Sequence, residues 1–165
     1  MNVSANKRLD LDIINIISDL STELQIKAFL VGGYVRDLIL DRKSKDVDIL
    51  IVGDGISFAN EVKKKLHGKV DLQIFKNFGT AMIIYDGFEI EFVGSRKESY
   101  QKNSRNPSIT VGTFEDDISR RDFTINSIAI SLNKKDKGEI IDLYGGADDL
   151  KNGLIKTPKD PKITF

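Results

Sequence analysis

A chain of 165 residues, 40% apolar and 30% charged, is long enough for one domain with a real core and too apolar for disorder. Its 25 basic and 25 acidic residues cancel, so the total charge does not mark a strongly basic nucleic-acid binder. Cysteine is absent and His67 is the single histidine, which excludes disulfides, thiolate sites and multi-histidine metal sites. Carboxylates are left as metal ligands, a donor set suited to magnesium or manganese. The opening residues carry no signal-peptide pattern, and no apolar run reaches ~18 residues. The expectation is a soluble cytoplasmic protein with no membrane partner.

In chain order, Leu9, Ile13, Ile16, Ile17, Leu20 and Leu24 recur at helical spacing and predict an amphipathic helix over 7–25. Lys27–Val31 reads as a short strand ended by Gly32-Gly33, followed by a short helix over 34–41. Val47–Val52 is a buried strand, and Phe58, Ala59, Val62 and Leu66 form the apolar stripe of a helix over Ile56–Leu66. Three strand-like runs follow at 70–75, 80–85 and 88–94, the last two joined by Asp86-Gly87, a strong hairpin signal. Residues 95–110 are polar, with four Lys/Arg against one Glu, and read as a long mobile loop. A helix over 116–132, with Ile118, Phe123, Ile125, Ile128 and Ala129 inward, a strand over Glu139–Leu143 and the turn "YGGADDL" complete the order. Helices alternating with strands plus a hairpin argue for an α+β (α/β) domain, a mixed sheet of five or so strands flanked by helices.

Asp46 and Asp48 lie two apart on a strand, so both side chains point the same way, roughly 6.6 Å apart. Two carboxylates that close repel unless a cation compensates. Read alone, the pair also suits a turn cap and a solvated strand end. "FEIEFVG" adds Glu89 and Glu91 on one face of a later strand. A third carboxylate from that strand, Glu91 in preference to a solvent-facing Glu89, would complete a cradle for two metals about 3.5–4 Å apart, the arrangement of phosphoryl-type displacement. The Gly32-Gly33 pair lets backbone N–H groups approach a phosphate at a helix start, and Arg36, one turn on, reaches a triphosphate.

At these residues a resemblance appears. "LVGGYVRDLIL…KDVDI" resembles the signature of class II tRNA nucleotidyltransferases (CCA-adding enzymes) and bacterial poly(A) polymerases, members of the DNA polymerase β-like nucleotidyltransferase superfamily. "EDDISRRDFTINSIAI" resembles the same family's Arg-Arg-Asp motif, "IEFVGSRKESY" its strand and flexible loop, and "IIDLYGGADDL" the end of its catalytic head. The resemblance spans residues 28–157 and implies that family's fold. It implies that Asp46 and Asp48 bind magnesium, and that Gly32, Gly33 and Arg36 hold the triphosphate. It further implies that Arg120, Arg121 and Asp122 bind the nucleotide, Asp122 toward the ribose, with Asn126 assisting. Asp37 takes a structural role, and Asp46, Asp48 and Glu91 form the catalytic set.

One departure stands out. The chain stops at "KTPKDPKITF", where the family's neck begins with an acidic-Asp-Pro-Leu-Arg segment. Residues 1–165 therefore read as a single catalytic head, with the neck, body and tail absent and base selection absent with them. The implied function is nucleotide addition from CTP and ATP to a tRNA 3′ end, releasing pyrophosphate, with RNA held by the full-length protein. Alternatives are a poly(A) polymerase, which shares the head motifs, a non-catalytic nucleotide-binding domain, and a small-molecule adenylyltransferase.

Overall fold

The computed structural model describes residues 2–3, 6–99 and 108–164. The chain opens with a 3-10 turn at Lys7–Leu9, and α1 runs Asp12–Glu23. The single helix expected over 7–25 is thus broken. Leu11 is extended (φ −68°, ψ 141°) and restarts the helix, while Leu9 is buried from the separate turn. Then follow β1 (Ala28–Val31), α2 (Gly33–Ile39), β2 (Asp46–Ile51) and α3 (Gly55–Lys65). Next come β3 (Asp71–Phe75), β4 (Thr80–Tyr85) and β5 (Phe88–Gly94). The β4–β5 turn is as expected: Asp86 and Gly87 both take positive φ, 50° and 79°, matching the strand twist of a tight hairpin.

Seven strands, more than the five or so expected, form the sheet in the order β3-β4-β5-β2-β1-β8-β9, where β8 is Ile128–Ser131 and β9 is Ile140–Asp142. Only β2 and β5 pair in parallel; the other neighbours in the sheet are antiparallel. The sheet is mixed, as expected.

Two expectations are corrected. The helix over 116–132 is instead a short helix, α4 (Phe114–Ser119), a 3-10 turn at Thr124–Asn126, and β8. All four β8 residues are buried. A strand covered on both faces loses the alternation that marks strands, and a short apolar run then reads equally as helix. The loop over 95–110 contains β6 (Arg96–Ser99) and β7 (Ser108–Val111), a hairpin paired only with itself. The sequence of β6, Arg-Lys-Glu-Ser, has no apolar residue, so it lacks the alternation that marks a strand. Mobility is expected over 95–110, of which residues 100–107 lie outside the described residues.

The main core lies on one sheet face. Ile49, Ile51, Ile90 and Phe92 pack there with Ile13 and Ile17 of α1 and Phe58 and Val62 of α3. Each such buried side chain contributes about 1.5–3 kcal/mol. The other face is covered only in part: α4 seats Phe114 and Ile118 on Phe29, Val31, Leu50 and Ala129, with the Phe29 and Phe114 rings 4.4 Å apart. Beyond α4, this face carries Asp46, Asp48, Glu89 and Glu91. Among the described residues no helix is long and apolar enough to cross a membrane. Helices α5 (Gly146–Lys151) and α6 (Pro161–Thr164) close the chain.

Candidate active site

The carboxylates come together through strand register. Asp46 sits opposite Glu89 and Asp48 opposite Glu91 across the parallel β2–β5 seam, and laterally paired residues share a face. Their neighbours Val47, Ile49, Ile90 and Phe92 point into the core on the opposite face. Asp48 and Glu91 are half-buried; Asp46 and Glu89 are exposed. Burial pushes the Asp48 carboxyl above the usual carboxylate range, Glu91 and Asp46 push it further, and Arg121 opposes them. Among the described residues no three acidic, histidine or cysteine groups are gathered into a closed cluster around a metal position. Asp46, Asp48 and Glu91 share one face of the sheet as an open acidic rim.

The glycine pair meets that rim. Val31 pairs with Asp48, so the chain leaving β1 turns beside the carboxylate. Gly32 has φ +72°, and a methyl group there would sit 3.0 Å from Asp48 Oδ2 and 3.6 Å from Arg121 Nη1. Only glycine combines that backbone with that approach. With seven residues, α2 has a short dipole, so close backbone access counts for more than the helix end.

Arg36 folds over the pair, Nη2 lying 3.3 Å from where a Gly33 methyl would be. Its Nε donates to Asp37 Oδ1 at 3.1 Å and its Nη1 to Asn126 Oδ1 at 3.0 Å, while Asn126 Nδ2 donates to Asp122 Oδ1 at 3.1 Å. Asp37 thus steadies Arg36, in keeping with its expected structural role. Asp122 and Asn126 meet as expected, although the backbone joining them is a 3-10 turn entered from extended Phe123, not one helix face.

Arg121, just past the end of α4, lies close enough to Asp48 to oppose its raised proton affinity, and it is aimed by a residue to which sequence analysis gave no role. Asp117, wholly buried, accepts from Arg120 Nη2 at 2.9 Å and Arg121 Nη2 at 3.1 Å. The available signal was an acid three and four residues ahead of two arginines, the spacing of helical ion pairs. Arg120 spends its guanidinium on Asp117 and is 38% exposed, so the structure does not bring it against the carboxylates or Arg36 as it does Arg121. Arg121 Nε is, among the described residues, a buried donor without a hydrogen-bond partner.

A mixed sheet with acids at its parallel seam and arginine and glycine facing them from the neighbouring elements has the form of a nucleotidyltransferase head. A family model described as the poly A polymerase head domain matches residues 28–156. The chain belongs to that family. It is similar to the A-adding tRNA nucleotidyltransferase of Aquifex aeolicus, 39% identical over 131 residues, which are 79% of this chain and 16% of that protein. It is also similar to the CCA-adding enzyme of Lactobacillus helveticus, 40% identical over 141 residues, 84% of this chain and 33% of the relative. Among solved structures, a tRNA nucleotidyltransferase complexed with a primer tRNA and an incoming ATP analog superposes with a TM-score of 0.75 and 34% identity, covering 87% of this chain and 39% of that one. The chain spans a third or less of the two curated relatives' length.

Proposed function

We propose that this chain is the catalytic head of a cytoplasmic tRNA nucleotidyltransferase, which adds nucleotides from CTP or ATP to a tRNA 3′ end and releases pyrophosphate. The observation that carries the reading is Asp48, crowded by Glu91 and Asp46 and faced by Gly32 and Arg121. Acids forced together beside a gap that only glycine leaves open would be relieved of their repulsion by a divalent cation. Asp46 and Asp48 would hold that divalent cation, magnesium or manganese, which supplies charge neutralisation on the triphosphate and eases ionisation of the attacking hydroxyl.

The chain's own residues do the rest. The Gly32-Gly33 backbone leaves room for the triphosphate. Arg121, through the Nη1 beside Gly32, and Arg36, anchored by Asp37 and Asn126, would supply donors to phosphate or sugar oxygens. Asp122 would accept from the ribose. Asp48 would accept the proton of the 3′-hydroxyl as that oxygen attacks the α-phosphate in line and pyrophosphate leaves. Glu91 raises the field at Asp48 from the next strand. Relatives named for A addition and for CCA addition match this head at 39% and 40% identity, which supports the reading that choice of base and stopping point would lie outside it. Their tRNA substrates favour this reading over polyadenylation.

The test offers the protein at its natural length tRNA lacking its terminal CCA and tRNA ending in CC, each with CTP and ATP, and sequences the products. Addition of C, A or both followed by a stop is the expected result. Homopolymeric A tails would move the assignment to poly(A) polymerase, and no incorporation at all would sink the reading. Within it, Glu91→Gln is expected to lower the addition rate about tenfold or more, and Glu89→Gln by no more than about twofold, because only Glu91 flanks Asp48. Single-turnover rates decide the ranking, and a larger loss at Glu89 reverses it.

A further inference from the structure

We infer that Thr124 and Asp149 are positioning residues for nucleotide binding, locking from behind the turn that presents Asp122 and Asn126. The inference rests on the proposed role of Asp122, Asn126 and Arg36 as nucleotide contacts.

The turn needs an external lock. It is one 3-10 turn, Thr124–Asn126, entered from extended Phe123, and a single such turn has little stability of its own. Its front is committed to the site, Asn126 Oδ1 accepting from Arg36 and Asn126 Nδ2 donating to Asp122. Its back is gripped at one residue by two elements. Thr124 Oγ1 donates to Asp149 Oδ2 of α5 at 2.7 Å, with both side chains buried. Thr124 N–H donates to the Lys156 carbonyl at 2.8 Å, so the strand of chain after α5 straps the same residue. Gly146 lets α5 approach: a methyl there would fall 2.1 Å from the Thr124 carbonyl oxygen. The remaining Asp149 oxygen pairs with Lys156 Nζ at 3.3 Å. The Thr124 hydrogen bond, helped by Lys156, holds the Asp149 carboxyl below the usual carboxylate range and so keeps it an acceptor.

Asp149, Thr124, Asn126 and Arg36 thus form one continuous connection from the outer helix to the glycine pair. No link in it is a substrate contact until Asn126. Loosening the lock frees the turn without removing any group that touches the nucleotide. The cost falls on nucleotide affinity, while the acids at the β2–β5 seam stay in place.

The test uses the natural-length protein carrying Thr124→Val, Asp149→Ala, both together, or Thr124→Ser, with Val62→Ala in the main core as a control of reduced stability. Each single change at the lock is expected to raise the nucleoside triphosphate KM about tenfold with kcat within about threefold, the double change no more than either single one, and Thr124→Ser to restore KM to within about twofold. Amide exchange of residues 123–127 without nucleotide should accelerate in Thr124→Val while β8 stays protected. An unchanged KM, additive losses, or an equal KM rise in Val62→Ala overturns the inference. Unchanged exchange in Thr124→Val overturns it whatever the activity, whereas a wild-type protein that adds no nucleotide overturns the proposed function instead.

Discussion

Asp48→Asn is expected to reduce nucleotide addition by about a thousandfold, the several kcal/mol that a cation-held transition state forfeits when its ligand is neutralised. The fold should survive, and the cation-free protein should melt at the same temperature or slightly higher. The reason is the position of Asp48 on the seam. It is half-buried, and Glu91 and Asp46 both disfavour its charge. Asparagine keeps the shape and removes that repulsion. The pH dependence has a definite sign. Because the folded carboxyl holds its proton to higher pH than the unfolded one, its contribution to stability is fully present below the ordinary carboxylate range and is lost as pH rises through the folded value. Asp48→Asn should flatten that part of the stability profile. Single-turnover incorporation and thermal melts across pH check both halves. Near-wild-type addition by the variant would falsify the cation assignment.

Asp117→Ala is expected to cost both activity and stability, for a different reason. Asp117 touches no substrate, yet it fixes two arginines, and Arg121 is the one that faces Asp48 and Gly32. Releasing Arg121 displaces a donor by an ångström or more, which corresponds to about a hundredfold in rate. Breaking an ion pair by removing its buried member costs up to about 3–5 kcal/mol. The arginine side chains are 38% and 22% exposed, and water reclaims part of that loss. About 2–3 kcal/mol remains, a fall of roughly 5–10 °C in melting temperature for a chain of this size. Asp117→Glu should recover stability better than activity, since it restores charge but not aim. A full loss of stability with unchanged turnover would reduce Asp117 to a structural residue.

These two acids differ in how far the sequence announced them. Asp46-Val47-Asp48 was legible because a strand repeats every second residue, and two charges flanking one apolar residue at the head of an apolar run must share a face. Gly32-Gly33 was legible because a glycine pair between a strand and a helix start lets the backbone approach closely, and the structure adds that Gly32 takes a positive φ beside Asp48. The Asp86-Gly87 hairpin and the stripe of α3 followed from equally local rules.

What local rules cannot reach is which distant segments lie side by side. Asp48 meets Glu91 only because β2 and β5 pair in parallel across an intervening helix and hairpin, a register set by packing Ile49 and Ile51 with Ile90 and Phe92 on the far face. Asp117 looked like one more acid in a charged stretch until α4 folded over Phe29 and buried it against two arginines. The helix expected over 116–132 became a turn and a strand because β8 is enclosed between β1 and β9, where burial on both faces overrides periodicity. Thr124 and Asp149, 25 residues apart, carried no signal in the sequence, since a buried hydroxyl–carboxylate bond is a product of tertiary contact alone. The sequence by itself determined which residue types could bind a cation and a triphosphate; the tertiary structure decided which of them face one another, because only burial converts separated residues into neighbours.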